Sequence, residues 1–125
     1  MILILTDSAQ DYGADYLYDG FCTLVGAENV VDWPVKVSLH DGEQRVFDCD
    51  LGWPQSSVVL WEHDLPAWCR EQCDLFVIST LRGLTRERLA RWSVWLNHES
   101  IAERVVCCDF EDQSLPLAPL FDSLL

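Results

Sequence analysis

At 125 residues, half of them hydrophobic and six of them tryptophan, the chain is long enough to bury one core and too apolar for disorder. Twenty-one acidic residues against eight basic ones leave a formal net charge of −13, which repels phosphate backbones and disfavours direct nucleic-acid binding. The opening MILILTD has no basic leader and too short an apolar run for a signal peptide or membrane span, so a cytoplasmic setting is expected, with the cysteines as free thiols.

Ile2–Leu5 form a continuous apolar run that turns polar at Thr6-Asp7-Ser8, as a parallel strand buried on both faces does at its C-terminal end. Leu17, Phe21, Leu24 and Val25 recur at helical spacing and predict a helix over 14–25, stopped by Gly26. Asn29 to Trp33, with Val30–Asp32 at its centre, reads as a second strand closed by Pro34, completing a β-α-β unit. The stretch VKVSLHDGEQRVFDC alternates on either side of Asp41-Gly42 and predicts a β-hairpin insertion with its turn there. Ser57 to Trp61 reads as a further short strand. Asp64 as cap and Pro66 in the first turn open a helix running towards Cys73.

Leu75–Ser79 is the second strand with no polar face. Leu84, Leu89, Trp92, Val94, Trp95 and Leu96 then give a helix over 85–98 its apolar side, and Val105–Cys108 form a last strand that ends in Asp109. Buried strands alternating with helices predict a single domain, residues 1–125. It is a three-layer Rossmann-like or flavodoxin-like α/β fold with a mainly parallel sheet and right-handed crossovers.

Ligands in open α/β sheets bind beyond the C-terminal ends of the strands. The residues expected there are Asp7, Ser8, Thr80, Arg82 and Asp109, which form the candidate ligand-binding set. Asp11 and Asp15, in the opening corner, are candidates for contact with a partner. No GxxxxGK[ST], GxGxxG or GxSxG motif is present, which argues against a P-loop, a dinucleotide fingerprint and a hydrolase elbow. A receiver domain would need a lysine at the end of the last strand, and the single lysine, Lys36, falls in the middle of the chain. His40, His63 and His98 stand apart from any nucleophile and are expected at the surface, so no catalytic residue is assigned. The cysteines lack knuckle spacing, so neither a metal nor another cofactor is expected. Arg82, Arg86, Arg88 and Arg91 hold half of the basic charge within ten residues, and pairing with the abundant acids is their expected role.

Four segments, GADYLYDGFCTLVGAENVVDWP, LGWPQSSVVLWE, CDLFVISTLRGL and RVVCCDFED, together resemble the N-terminal Rossmann-like half of bacterial glycosyltransferase-like proteins, over roughly residues 14 to 112. In that family an Asp-Tyr-Leu helix is closed by Gly and followed by a Val-Val-Asp-x-Pro strand, and a later strand ends in Asp-Gly-Glu-Asp. Phe110 stands where the family's last motif has Gly. The resemblance implies a fold and a sugar- or nucleotide-binding ancestry. In two-domain transferases, however, the donor is held mainly by a C-terminal half, so sugar transfer by these 125 residues is not expected.

The expected function is therefore a non-catalytic interaction domain that binds a basic protein partner, or itself, through an acidic surface. The alternatives are a sugar- or nucleotide-binding domain acting through the strand-end residues, and an acidic inhibitor that mimics nucleic acid in another protein's groove.

Overall fold

The computed structural model describes residues 1–6, 12–40, 45–46, 49–78 and 86–108. Strands β1 (Ile2–Leu5), β2 (Val30–Trp33), β5 (Leu75–Ile78) and β6 (Val105–Cys107) form one parallel sheet in the order β2-β1-β5-β6. Ile4 lies beside Asp32 on one side and Val77 on the other, so the two wholly apolar runs occupy the centre of the sheet. The chain is thus a small α/β domain of the Rossmann-like type.

Strand alternation divides the core in two. Ile4, Val30 and Val77 face helix α1 (Tyr12–Val25), meeting Tyr18 and Cys22 together with Leu39 and Leu51. Leu3, Leu5, Val31, Phe76 and Ile78 face the opposite layer, made by α3 (Leu65–Glu71), α4 (Arg86–Leu96) and α5 (Glu99–Ala102). Buried Ala14, Tyr18 and Cys22 recur every four residues, which is why α1 lies on the sheet along one stripe. At its end the amide of Gly26 donates to the Cys22 carbonyl at 3.0 Å, and Gly26 takes φ 90°, where a side chain would be strained.

Three expectations need correction. The segment after Pro34 does not enter a hairpin, because the Asp32 carboxylate accepts the Lys36 amide at 2.7 Å and turns the chain back. A helical turn, α2 (Val37–His40), follows; only Leu39 of its apolar residues is buried, while Val37 is exposed. Side-chain capture of a backbone amide has overridden an alternating pattern. An antiparallel pair does exist, but it joins β3 (Arg45–Val46) to β4 (Cys49–Asp50), with Val46 opposite Cys49; Asp41-Gly42 lies outside the described residues.

Second, residues 57–61 carry no strand. They belong to a strap, residues 51–61, whose Leu51 and Trp53 pack in the α1 layer and whose Val58 and Leu60 pack in the other. The strap therefore crosses the edge of the sheet at β2, and the Trp33 indole donates to the Leu60 carbonyl at 3.0 Å. Covering an edge strand in this way hinders unwanted strand pairing.

Third, the helix expected over 85–98 breaks near Asn97. His98 instead starts α5, its Nδ1 accepting the Ser100 amide. A side-chain acceptor at an N-cap satisfies a donor that a continuous helix would have used elsewhere.

Phe76 is 1% exposed and packs against Trp92 and Trp95 at ring separations of 6.3 and 6.0 Å. Phe76→Ala should cost about 3–5 kcal/mol in urea unfolding, the usual loss for a buried aromatic ring. In the unsubstituted chain, the amides of Leu3–Leu5 and Phe76–Ile78 should be the slowest to exchange. Fast exchange there would contradict their central position.

Candidate functional site

The sheet order makes the connection from β1 leave towards β2 and that from β5 leave towards β6, so the chain diverges between β1 and β5. Such a switch point opens a crevice at the C-terminal ends of the two strands, here beside Thr6 and Ile78. Of the expected strand-end residues, Asp7, Ser8, Thr80, Arg82 and Asp109 lie outside the described residues, as does Asp11.

Asp15 is described, and it does not face a partner. It is 2% exposed, and its Oδ1 lies 2.7 Å from Lys36 Nζ in an ion pair buried on both sides. Its position in the first turn of α1, one turn before Tyr18, directs it onto the sheet layer rather than to solvent.

The same interior holds a second pair that the sequence did not reveal. Asp32 points to the α1 side of β2 by strand alternation, and both of its carboxylate oxygens lie 3.0 Å from His40 Nε2. His40 Nδ1 is 2.9 Å from the Trp53 carbonyl oxygen. Both ring nitrogens thus face acceptors, and only the doubly protonated imidazolium satisfies both. Burial opposes this charge, but the hydrogen bond and negative charge of Asp32, helped by the carbonyls of Trp53 and Pro54, raise the His40 pKa above its ordinary 6.5. The expectation of a surface histidine fails here, since the His40 side chain is 8% exposed.

Asp15, Asp32, Lys36 and His40 make a buried quartet of two acids and two bases, balanced in charge when His40 is doubly protonated. Asp32 ties the pairs together, because it accepts the Lys36 amide as well as the His40 ring. Tyr18 meets the His40 ring edge-on at 5.6 Å, and burial followed by the nearby Asp32 charge drives its hydroxyl well above the ordinary tyrosine range. Burial also pushes the Cys22 thiol up to about 11. Neither group is poised to act as a nucleophile. The single lysine, set four residues from an aspartate on one side and a histidine on the other, is the sequence signal that could have pointed to the quartet.

Across the sheet, the arginine cluster behaves as its pairing role predicts where it is described. Arg88 Nε lies 2.9 Å and Arg91 3.2 Å from Glu62, and the Arg88 guanidinium stands over Trp33 and Trp92 at 5.3 and 5.6 Å. Slight burial works against the charge of Glu62, yet Arg91 and Arg88 hold its carboxyl below its usual value. Between β2 and the strap runs a groove of about 270 Å³, lined by Val31, Trp33, Pro34, Val58 and Trp61 among others. Its rim carries large apolar side chains in water: Val59 is 76% and Trp61 68% exposed, with Val35 nearby at 47%.

Among the described residues, no group of three or more His, Cys, Asp or Glu side chains is arranged to hold a metal ion. Cys22, Cys69, Cys73, Cys107 and Cys108 are thiols, the first three buried. No helix among the described residues is long and apolar enough to cross a membrane.

Removing one member of a buried pair leaves its partner charged in a medium that solvates it poorly, typically a loss of about 3–5 kcal/mol. Lys36→Met should therefore destabilise the chain by that order in urea unfolding. Combining it with Asp15→Leu should recover most of the loss, a non-additivity that a double-mutant cycle would measure. Additive losses would show that the two side chains do not act as a pair.

Compared with protein-family models, with curated proteins and with solved structures, the chain matches none.

Proposed function

We propose that this chain is a non-catalytic interaction domain, working in the cytoplasm, that binds a protein partner with a basic surface. The observation that carries this reading is the exposed apolar rim of Val35, Val59 and Trp61 along the β2 groove of a chain with net charge −13. Large apolar groups clustered in water mark interaction surfaces, and exposed tryptophan is among the commonest energetic anchors of such contacts. The acids of the quartet are neutralised inside, so the surplus negative charge lies elsewhere on the chain. A surplus of one sign raises association rates with a surface of the opposite sign and suppresses like-charged competitors. A partner that normally holds nucleic acid would meet both conditions, which keeps the nucleic-acid mimic within this reading.

The topology favours a second reading, a small-ligand domain. The switch point between β1 and β5 lies where the sequence places Asp7, Ser8, Thr80 and Arg82. The resemblance to glycosyltransferase-like proteins makes a sugar or nucleotide the ligand class for that crevice. In this reading Arg82 would meet the anionic group and the carboxylate of Asp7 the hydroxyls.

The two readings separate by experiment. A partner captured on the immobilised chain and then purified should associate more slowly as salt rises, because surface charges are screened beyond about 8 Å at physiological ionic strength. Trp61→Ala should weaken that complex by about tenfold or more, the scale of a tryptophan anchor, and leave unfolding within about 0.5 kcal/mol. Salt-indifferent affinity, or an unchanged complex with Trp61→Ala, would sink the first reading. Saturable binding of a nucleotide-sugar by the purified chain, abolished by Arg82→Ala, would establish the second.

A further inference from the structure

Trp53 is one of two points at which the strap is tied down, the other being Leu60 on the Trp33 indole. The Trp53 amide donates to the Leu39 carbonyl at 3.0 Å, its indole donates to Asp19 at 2.9 Å, and its carbonyl receives His40 Nδ1 at 2.9 Å. The first two bonds do not involve the imidazole; the third does. A neutral imidazole has a single N–H, and here it would confront an oxygen at each nitrogen. The bond to a carboxylate is the stronger of the two, so the remaining proton stays on Nε2 against Asp32 and the Trp53 carbonyl loses its donor.

We propose that His40 is a proton-operated latch: when doubly protonated it ties the strap, residues 51–61, to α2 and β2, and loss of its proton loosens the strap from the β2 edge. The charged and titratable groups around the ring come from every neighbouring element. From α1 there are Tyr18, edge-on to the ring, with Cys22 behind it, Asp19 on the Trp53 indole, and Asp15 paired with Lys36. From β2 there is Asp32, and from the loop after it Lys36, whose own amide shares the Asp32 carboxylate. The strap offers only carbonyls, those of Trp53 and Pro54. Among the described residues, the anion that faces the ring directly is Asp32, and it favours the protonated form.

The direction follows from linkage. The folded-state pKa of His40 lies above the value of 6.5 expected in an unfolded chain, so its contribution is fully present below that value. It is lost as pH rises through the folded-state pKa, by at most about tenfold per pH unit for one proton. Under the binding reading proposed above, the strap also carries Val59 and Trp61, so release would alter the surface offered to a partner. The latch itself is tested without any partner, and its failure leaves the binding reading standing.

The full chain should be followed from pH 6 to 9 by side-chain nitrogen NMR of His40 and by amide exchange of residues 52–61, corrected for intrinsic base catalysis. At pH 6 both ring nitrogens should carry protons. Protection of the strap should then fall by about tenfold or more with the same midpoint as His40, while Leu3–Leu5 and Phe76–Ile78 keep theirs. His40→Gln retains a donor towards Asp32 but cannot ionise, and its strap should show no step. A neutral ring at pH 6, strap protection that stays flat while His40 titrates, or the same step in His40→Gln would each overturn the latch. If His40→Gln does not fold, the two measurements on the unsubstituted chain decide alone.

Discussion

A buried carboxylate at the end of an edge strand organises this domain. Asp32 sits at 2% exposure, where an unpaired charge would be too costly to keep. It is held by the Lys36 amide and the His40 ring, and each of those bonds bends the chain. The first ends β2 and folds the segment after Pro34 into α2. The second brings α2 close enough for His40 to reach the strap. Lys36, positioned by the same turn, closes on Asp15 and so fastens the first turn of α1. One anion thereby couples a strand, two helices and the strap.

The neighbouring residue does the opposite work. Trp33 follows Asp32 in β2, so its side chain points to the other face of the sheet. There it packs at 5.7 Å from Trp92, lies under Arg88 and donates to the strap at Leu60. The strap is therefore anchored twice on one edge strand, by a polar contact network on the α1 side and by aromatic packing on the other. Only the polar anchor depends on a proton. Neutralisation is local on both faces: two acids balance two bases in the quartet, and Glu62 is shared by Arg88 and Arg91. The excess negative charge of the chain is thus carried by residues outside these clusters, where it acts on whatever approaches.

The division between what the sequence determined and what the tertiary structure decided follows the range of the interactions. Ile2–Leu5 and Leu75–Ile78 are legible because a strand buried on both faces has no polar residues to offer, and that demand is met within four positions. The helices α1 and α3 are legible for a similar reason: Gly26 and Pro66 act on their own backbone and need no distant partner. The alternation after Pro34 misled because a pattern of apolar residues says nothing about whether a carboxylate four residues earlier will capture a backbone amide. His40 read as a surface residue because burial of an imidazole depends on two acceptors, eight residues before it and thirteen after, that meet it only in the folded chain. Asp15 read as a surface acid for the same reason, since Lys36 is twenty-one residues away in sequence. Local backbone demands and hydrophobic periodicity were sufficient for the α/β fold; which charges lie inside, and in which protonation state, was decided only when distant elements closed on one another and removed water from between them.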